Sequence, residues 1–359
     1  MKSFLLRASL FLLLFGLVAE VCFRWGLPAR ETPLVRQEPV SRLIQFDPAG
    51  PRDGVFSSGR WAQQRARWHV NAQGWNNLID LQSDTDRERP AVVITGDSQI
   101  EGFYIDPEAH LIRRLASRAQ EKVVGYSLAV SGYKLGEYIE VARYLHREAI
   151  NPAVFIIFIN PGDFWRGVTN LDGRAGVVPR VQINSDGAGE VTASGTLPIS
   201  RWRRTLRHSA TLRYLLFNAN LNPFAKGPAD LALNAAAQDP EADAETNPVY
   251  DQAFRFVVTA VQEALPRSKV LVLVDADRRG IMSGEHPDPI PTSGVVASVC
   301  ADLGCAHVDM TGPFTKAWRA DGQRLHFEHN VHWNAHAHDL ASAAVFEELR
   351  RRDWLSAAP

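Results

Sequence analysis

"PAVVITGDSQIEG", residues 90–102, runs from an apolar stretch through Gly96, Asp97 and Ser98 into a segment of helical character. The apolar part does not alternate with polar residues, which suits a strand buried on both faces, as in a parallel sheet. A strand, a tight turn and a helix start put Ser98 at the carboxyl end of the strand, where open α/β sheets collect their chemistry. A serine there has its backbone N–H at a helix N-terminus, so it can serve as nucleophile and oxyanion donor together. An Asp-Ser pair at such a point is also a common helix cap. The stretch alone leaves both roles open.

Comparable apolar runs recur along the chain: "VVGYSLA" (123–129), "AVFIIFI" (153–159), "KVLVLVD" (269–275) and "AHVDM" (306–310). Amphipathic segments separate them. "PEAHLIRRLASRAQ" opens with proline in its first turn, "GEYIEVARYLHREA" gathers Ile139, Ala142 and Leu145 on one face, and "QAFRFVVTAVQEAL" spaces Phe254, Val258, Val261 and Leu265. A last helix, from about 337 to 351, is expected to turn Leu340, Ala344 and Phe346 inward. Strands alternating with helices predict an α/β protein: a three-layer α/β/α sandwich around a doubly wound, mainly parallel five-stranded sheet.

The chain divides into three parts. Residues 1–24 carry "ASLFLLLFGLVA", an uncharged run behind Lys2 and Arg7. A helix from Phe4 to Phe23 would be about 30 Å long, enough to cross a bilayer. No pair of small residues suits a cleavage site, so the run reads as a single-pass membrane anchor rather than a cleaved signal. The rest of the chain then lies in the periplasm or outside the cell. Arg24, Arg30 and Arg36 follow the run, so flanking charge alone does not orient it. Residues 25–88 form a connecting part, in which 25–51, with five prolines between 28 and 51, are expected to be an extended linker. A small strand pair over 55–77 should follow, closing on the turn "NAQG". The main domain spans 89–354. An insertion at about 166–249 interrupts it, containing a glycine-rich stretch and the acidic loop "AAAQDPEADAETNP".

Lysine plus arginine (39) nearly balances aspartate plus glutamate (40), which offers no reason to invoke nucleic acid. Of the three cysteines, Cys300 and Cys305 read equally well as an exported-protein disulfide or as two small buried hydrophobes. No thiol cluster suggests zinc.

Three further stretches bear on Ser98. "AVSGYKL" places Gly132 after the second strand, where a backbone without Cβ can aim its N–H at a developing oxyanion or simply make a turn. "FINPGDF" follows the third strand. "HNVHWNAHAH" puts His332 just before the last helix, late in a chain whose serine is early, a position suited to a general base. Taken together, these stretches resemble the SGNH, or GDSL-type, hydrolases, and the preceding "VNAQGW" is similar to a lead-in of their membrane-anchored bacterial members. The resemblance covers 89–351 and is carried by "GDS" (96–98), "SG" (131–132), a degraded third block (160–163) and "HWNAHAH" (332–338).

By that resemblance Ser98 is the nucleophile, His332 the base, and Ser98 and Gly132 give N–H groups to the oxyanion hole; either Asn160 swings in as its third donor or that donor is missing. The reaction is ester hydrolysis or acyl transfer, often on O-acetylated sugars, with no metal or organic cofactor. Two departures stand out. The family's glycine-any-asparagine-aspartate is here Asn160, Pro161, Gly162 and Asp163, so the asparagine has moved to the glycine's place. The acid expected two or three residues before the histidine is replaced by Asn330 and His329. Asn330 then has no charge to offer and can only orient the ring.

Three rival readings compete with this one. "GYSLA" (125–129) approaches the nucleophile elbow of α/β-hydrolases, with Ser127 as nucleophile, but lacks its last glycine. His326, His329, His332, His336 and His338 invite a metal, yet no glutamate completes the usual pattern, and a solvated or capping cluster is expected. A binding or polysaccharide-assembly factor that lost the acid would use Trp165 and Trp333 as sugar platforms. The sequence reading is therefore an esterase or acyltransferase acting on an acylated glycan or small ester, bound to a membrane, with no metal.

Overall fold

The computed structural model describes residues 2–86, 88–160, 162–168, 177–184, 187–193, 195–197, 207–219, 221, 248–284, 289–328 and 330–355. Two hairpins come first: β1 (Val35–Gln37) with β2 (Ile44–Phe46), and β3 (Asp53–Ser58) with β4 (Gln64–His69). The main sheet consists of β5 (Ala91–Thr95), β6 (Val124–Ser127) and β7 (Val154–Ile159), then, after the hairpin β8 (Arg180–Ile183) and β9 (Gly189–Thr192), β10 (Lys269–Val274) and β11 (Ala306–Asp309). A short pair, β12 (His326–Phe327) and β13 (Asn330–Trp333), leads into the last helix. The helices are α1 (Lys2–Val21), α2 (Ser98–Glu101), α3 (Leu111–Arg118), α4 (Leu135–Arg147), α5 (Gly162–Val168) and α6 (Ala210–Arg213). They continue with α7 (Pro248–Ala264), α8 (Arg278–Ser283), α9 (Pro291–Leu303), α10 (Thr311–Asp321) and α11 (Ala335–Arg351).

The strand order is β6-β5-β7-β10-β11, with every pairing parallel. All five apolar runs of the sequence are strands. Period-2 alternation divides each strand between two cores. Val93, Tyr126, Phe155, Ile157 and Val272 join Ile139, Phe254 and Val296 of α4, α7 and α9. Val92, Ile94, Ile156, Phe158 and Leu273 join Leu115, Phe314 and Val345 of α3, α10 and α11. This is the expected three-layer, doubly wound sandwich. Because β5 is flanked by β6 and β7, the topology reverses there, and the crevice between the carboxyl ends of β5 and β7 is the predicted ligand position.

Several local expectations are corrected. Residues 25–51 are no extended linker, since they contain β1 and β2, and Leu43 and Phe46 enter the core beside Trp75. The strand pair closes at Gly59–Gln63 rather than at "NAQG". "NAQG" forms a second turn, with Gly74 at φ 93° and its O accepting from Phe46 N–H at 2.9 Å. Leu340, Ala344 and Phe346 are only partly buried; the inward face of α11 is Ala337, His338, Ala341, Val345 and Leu349, one position round. Cys300 and Cys305 are joined as a disulfide between the end of α9 and β11. The acidic loop lies outside the described residues, apart from Pro248 at the start of α7.

Candidate active site

Asp97 is the cap of α2, accepting from Gln99 N–H at 2.9 Å, which leaves Ser98 at the first helical position with its hydroxyl free for other work. Gly96 permits the turn, because a Cβ there would lie 2.8 Å from Ile100 and 3.0 Å from Phe158. The hydroxyl of Ser98 meets Nε2 of His332 at 2.8 Å. The structure thus brings together two residues that stand 234 positions apart. Among the described residues, the N–H groups of Ser98 and Gly132 enter no hydrogen bond, and Gly132 takes the left-handed conformation, φ 89°. An unpaired N–H at a helix start is what an oxyanion would require.

His332 is carried by β13 and held from several sides. Asn330 Oδ1 accepts from the His332 backbone N–H at 2.9 Å and also contacts its Nδ1. The backbone N–H is an obligate donor, so the amide must present its oxygen, and Nδ1 must carry the proton. The lone pair is left on Nε2, facing Ser98. The ring stacks on Tyr104 with centroids 4.0 Å apart. Burial, aided by the nearby Arg278 cation, pushes His332 down to about 4.

The third block also reaches the crevice. Asn160 Nδ2 donates to Asp97 at 2.6 Å, while its Oδ1 accepts from Gly162 N–H at 2.8 Å. One amide proton is therefore spent on the residue preceding Ser98, and the other remains. Behind it lies a buried pair: Lys134 Nζ is 2.6 Å from Asp163, which also accepts from the Tyr138 hydroxyl and the Asn160 N–H. Burial raises Asp97 to about 6, opposed mainly by Lys134.

Several supporting residues escaped the sequence reading. Gln99 accepts from Trp333 N–H at 2.7 Å and donates to Val331 O at 3.5 Å, clamping the strand on both sides of His332. Arg278 donates to Val331 O at 2.6 Å and to Asp275 at 3.0 Å, and Asp275 in turn accepts from Trp333 Nε1 at 3.0 Å. A signal existed: "DADRR" stands at the carboxyl end of a predicted strand, where functional residues gather. Glu101 holds Ser131 through that residue's hydroxyl and backbone N–H, and burial pushes its carboxyl up to about 8.

One expectation fails here and one rival reading is excluded. Trp333 is no sugar platform: it is 1% exposed, wedged edge-on against Phe158, Phe314 and His338. Ser127 is no nucleophile, because it lies buried within β6 with its hydroxyl donating to Ile100 O at 3.3 Å. Trp165 belongs to α5, and its side chain lies outside what is described, as does His329. The other histidines scatter. His326 Nδ1 contacts Phe327 O, His336 lies 3.9 Å from Asp321, and His338 accepts from Leu111 N–H at 3.1 Å. Among the described residues, no three His, Cys, Asp or Glu converge as a metal-ligand set.

The chain matches no protein-family model and no curated protein. It is similar to several solved structures. That of TesA is 14% identical over 73% of this chain and 98% of the other, with a TM-score of 0.39. A putative GDSL-like lipase from Parabacteroides merdae is 13% identical over 75% and 97%, TM-score 0.41. A two-domain esterase active on acetylated mannans is 11% identical over 76% and 51%, TM-score 0.40.

Proposed function

We propose that this chain is a membrane-anchored SGNH-type esterase or acyltransferase, with Ser98 as nucleophile and His332 as base. The observation that carries the reading is the 2.8 Å contact between Ser98 Oγ and His332 Nε2, made in the crevice at the topological switch point. In this reading His332, neutral and with its lone pair on Nε2, takes the hydroxyl proton as Oγ attacks the ester carbonyl. The N–H groups of Ser98 and Gly132 and the second amide proton of Asn160 receive the oxyanion. His332 then returns the proton to the leaving alcohol, and water or an acceptor hydroxyl releases the acyl group. The substrate proposed is an O-acylated cell-surface glycan, met outside the cytoplasm by a domain that α1 tethers.

A second reading has a specific observation in its favour. His332 faces an uncharged amide, and Arg278 disfavours its protonated form. A glycan-binding or polysaccharide-assembly factor would tolerate that arrangement, whereas an efficient esterase would not. A fluorophosphonate probe separates the two. Labelling of wild type, absent in Ser98→Ala, together with turnover of a small acetyl ester, supports the enzyme; an unlabelled wild type that binds acylated glycan supports the factor.

A further inference from the structure

The segment after Ser209 ties the end of α1 to the domain. Glu20 accepts from the backbone N–H of Ala210 at 2.8 Å and of Thr211 at 3.0 Å, and from both neighbouring hydroxyls at 3.1 Å. Phe23 stacks on Tyr214, ring centroids 3.9 Å apart. On the domain side, Asn218 accepts from Arg30 N–H and donates to Ser57 Oγ and Gly59 O, and the Tyr214 hydroxyl donates to Arg60 O. The inward face of this segment, Ala210, Arg213, Tyr214 and Asn218, is therefore fully occupied.

Leu212 and Leu215, one turn apart, and Phe217 further along are nonetheless exposed, and so is Trp25 just past the end of α1. A single exposed leucine needs no account. Several large apolar side chains exposed together, on a segment whose remaining large side chains are already packed, do. This set continues a longer apolar surface: Ser3–Gly26 is long and apolar enough to cross a membrane, and none of its most apolar window is buried in the protein.

We propose that residues 210–219 lie in the interfacial layer of the bilayer, with Leu212, Leu215 and Phe217 entering the boundary between headgroups and acyl chains beside Trp25. The proposal rests on the reading of α1 as a membrane span. A spanning α1 puts its last turn at the bilayer surface, and a segment bonded directly to Glu20 and Phe23 stands at the same depth. Lipid is then the occupant, since an amphipathic segment at that depth gains from apolar burial and a tryptophan favours the headgroup level. The consequence is mechanical. The domain is held at one height and tilt on the membrane rather than hanging from a free tether.

The test uses the full chain in vesicles of phosphatidylethanolamine and phosphatidylglycerol. In a Cys22→Ser background, single cysteines replace Leu215, Phe217, Phe11 in α1 and the exposed Lys316 of α10, and each is labelled with a nitroxide. Labels at 215 and 217 should collide several-fold more with oxygen than with a nickel chelate, as at 11, while 316 shows the reverse. If 11 sits in lipid but 215 and 217 match 316, the interfacial proposal is wrong and the anchor stands. If 11 is itself exposed to water, the span reading falls and takes the proposal with it. Labels at 215 and 217 shielded from both reagents would mean that protein covers this face, which also overturns it.

Discussion

Asn330 accepts two hydrogen bonds on one oxygen, and this decides what an aspartate in its place should do. Replacing the catalytic aspartate of a serine protease by asparagine costs about 10⁴-fold, partly because the amide forces the wrong histidine tautomer. Here the backbone N–H of His332 turns the oxygen toward the ring, so the tautomer is already right and only the charge is missing. Asn330→Asp should therefore raise kcat/KM for a small ester by about 10- to 100-fold, less than that loss because the tautomer needs no repair. The pH profile gives a second readout. With His332 pushed down to about 4, the acid limb of wild type should lie near pH 4, well below the ordinary histidine range. A carboxylate beside Nδ1 favours the imidazolium, so the limb of Asn330→Asp should move upward. A variant that is slower, with an unmoved limb, would mean that the acid comes from elsewhere.

At the scale of elements, the site is a junction between α2 and β13, and Gln99 is the joint. Its side chain holds the strand at Trp333 and Val331 while its neighbour Ser98 meets His332 between them. Gln99→Ala leaves the buried Trp333 N–H without an acceptor, which should destabilise the fold by about 1–3 kcal/mol. Denaturant unfolding measures this. The same loss lets His332 wander from Ser98, so kcat should fall more than KM rises; unchanged kcat would remove Gln99 from the positioning role. All five main-sheet strands lie within two residues of their apolar runs, because burial on both faces leaves a local signature. Gln99 left none, since a glutamine after a helix cap reads the same whether it clamps a strand or faces water.

At the scale of the whole molecule, buried ionisable groups shape the pH dependence of stability. Burial pushes Glu101 up to about 8 and Glu137 up to about 7. Both carboxyls are raised above their unfolded values, so their contribution is complete at low pH and is lost as pH rises through 7 and 8. Tm should fall between pH 6.5 and 9, and Glu101→Gln, which cannot ionise, should flatten the fall. An equal slope in the variant would put the cause elsewhere. The buried histidines act at the other end. His110 and His332 are pushed down to about 4 and His338 further, so their contribution is complete above 6.5 and is lost as pH falls toward 4. Topology is tested separately: a phosphatase reporter fused after Pro359 should be active, and under denaturing conditions only Cys22 should react with a thiol reagent. An inactive fusion and three reactive thiols would place the domain on the cytoplasmic side.

What the sequence by itself determined was whatever has a short-range signature. The apolar runs marked the strands, their alternation with helices marked the sandwich, and "GDS" and "HWN" marked Ser98 and His332 at the ends of elements. The tertiary structure alone decided which of several equivalent-looking residues turn inward. Trp333 stands beside His332 in sequence, yet it is sealed between Phe158 and Phe314 of distant elements. Residues 25–51 look like a proline-rich tether but pack Leu43 and Phe46 against Trp75 and Phe103. Ser127 and Ser98 both belong to stretches that begin as apolar runs; one is closed inside a strand and the other opens onto the crevice. Periodicity belongs to neighbouring residues of one backbone, whereas burial is set by chain segments hundreds of residues apart, and no local pattern records it.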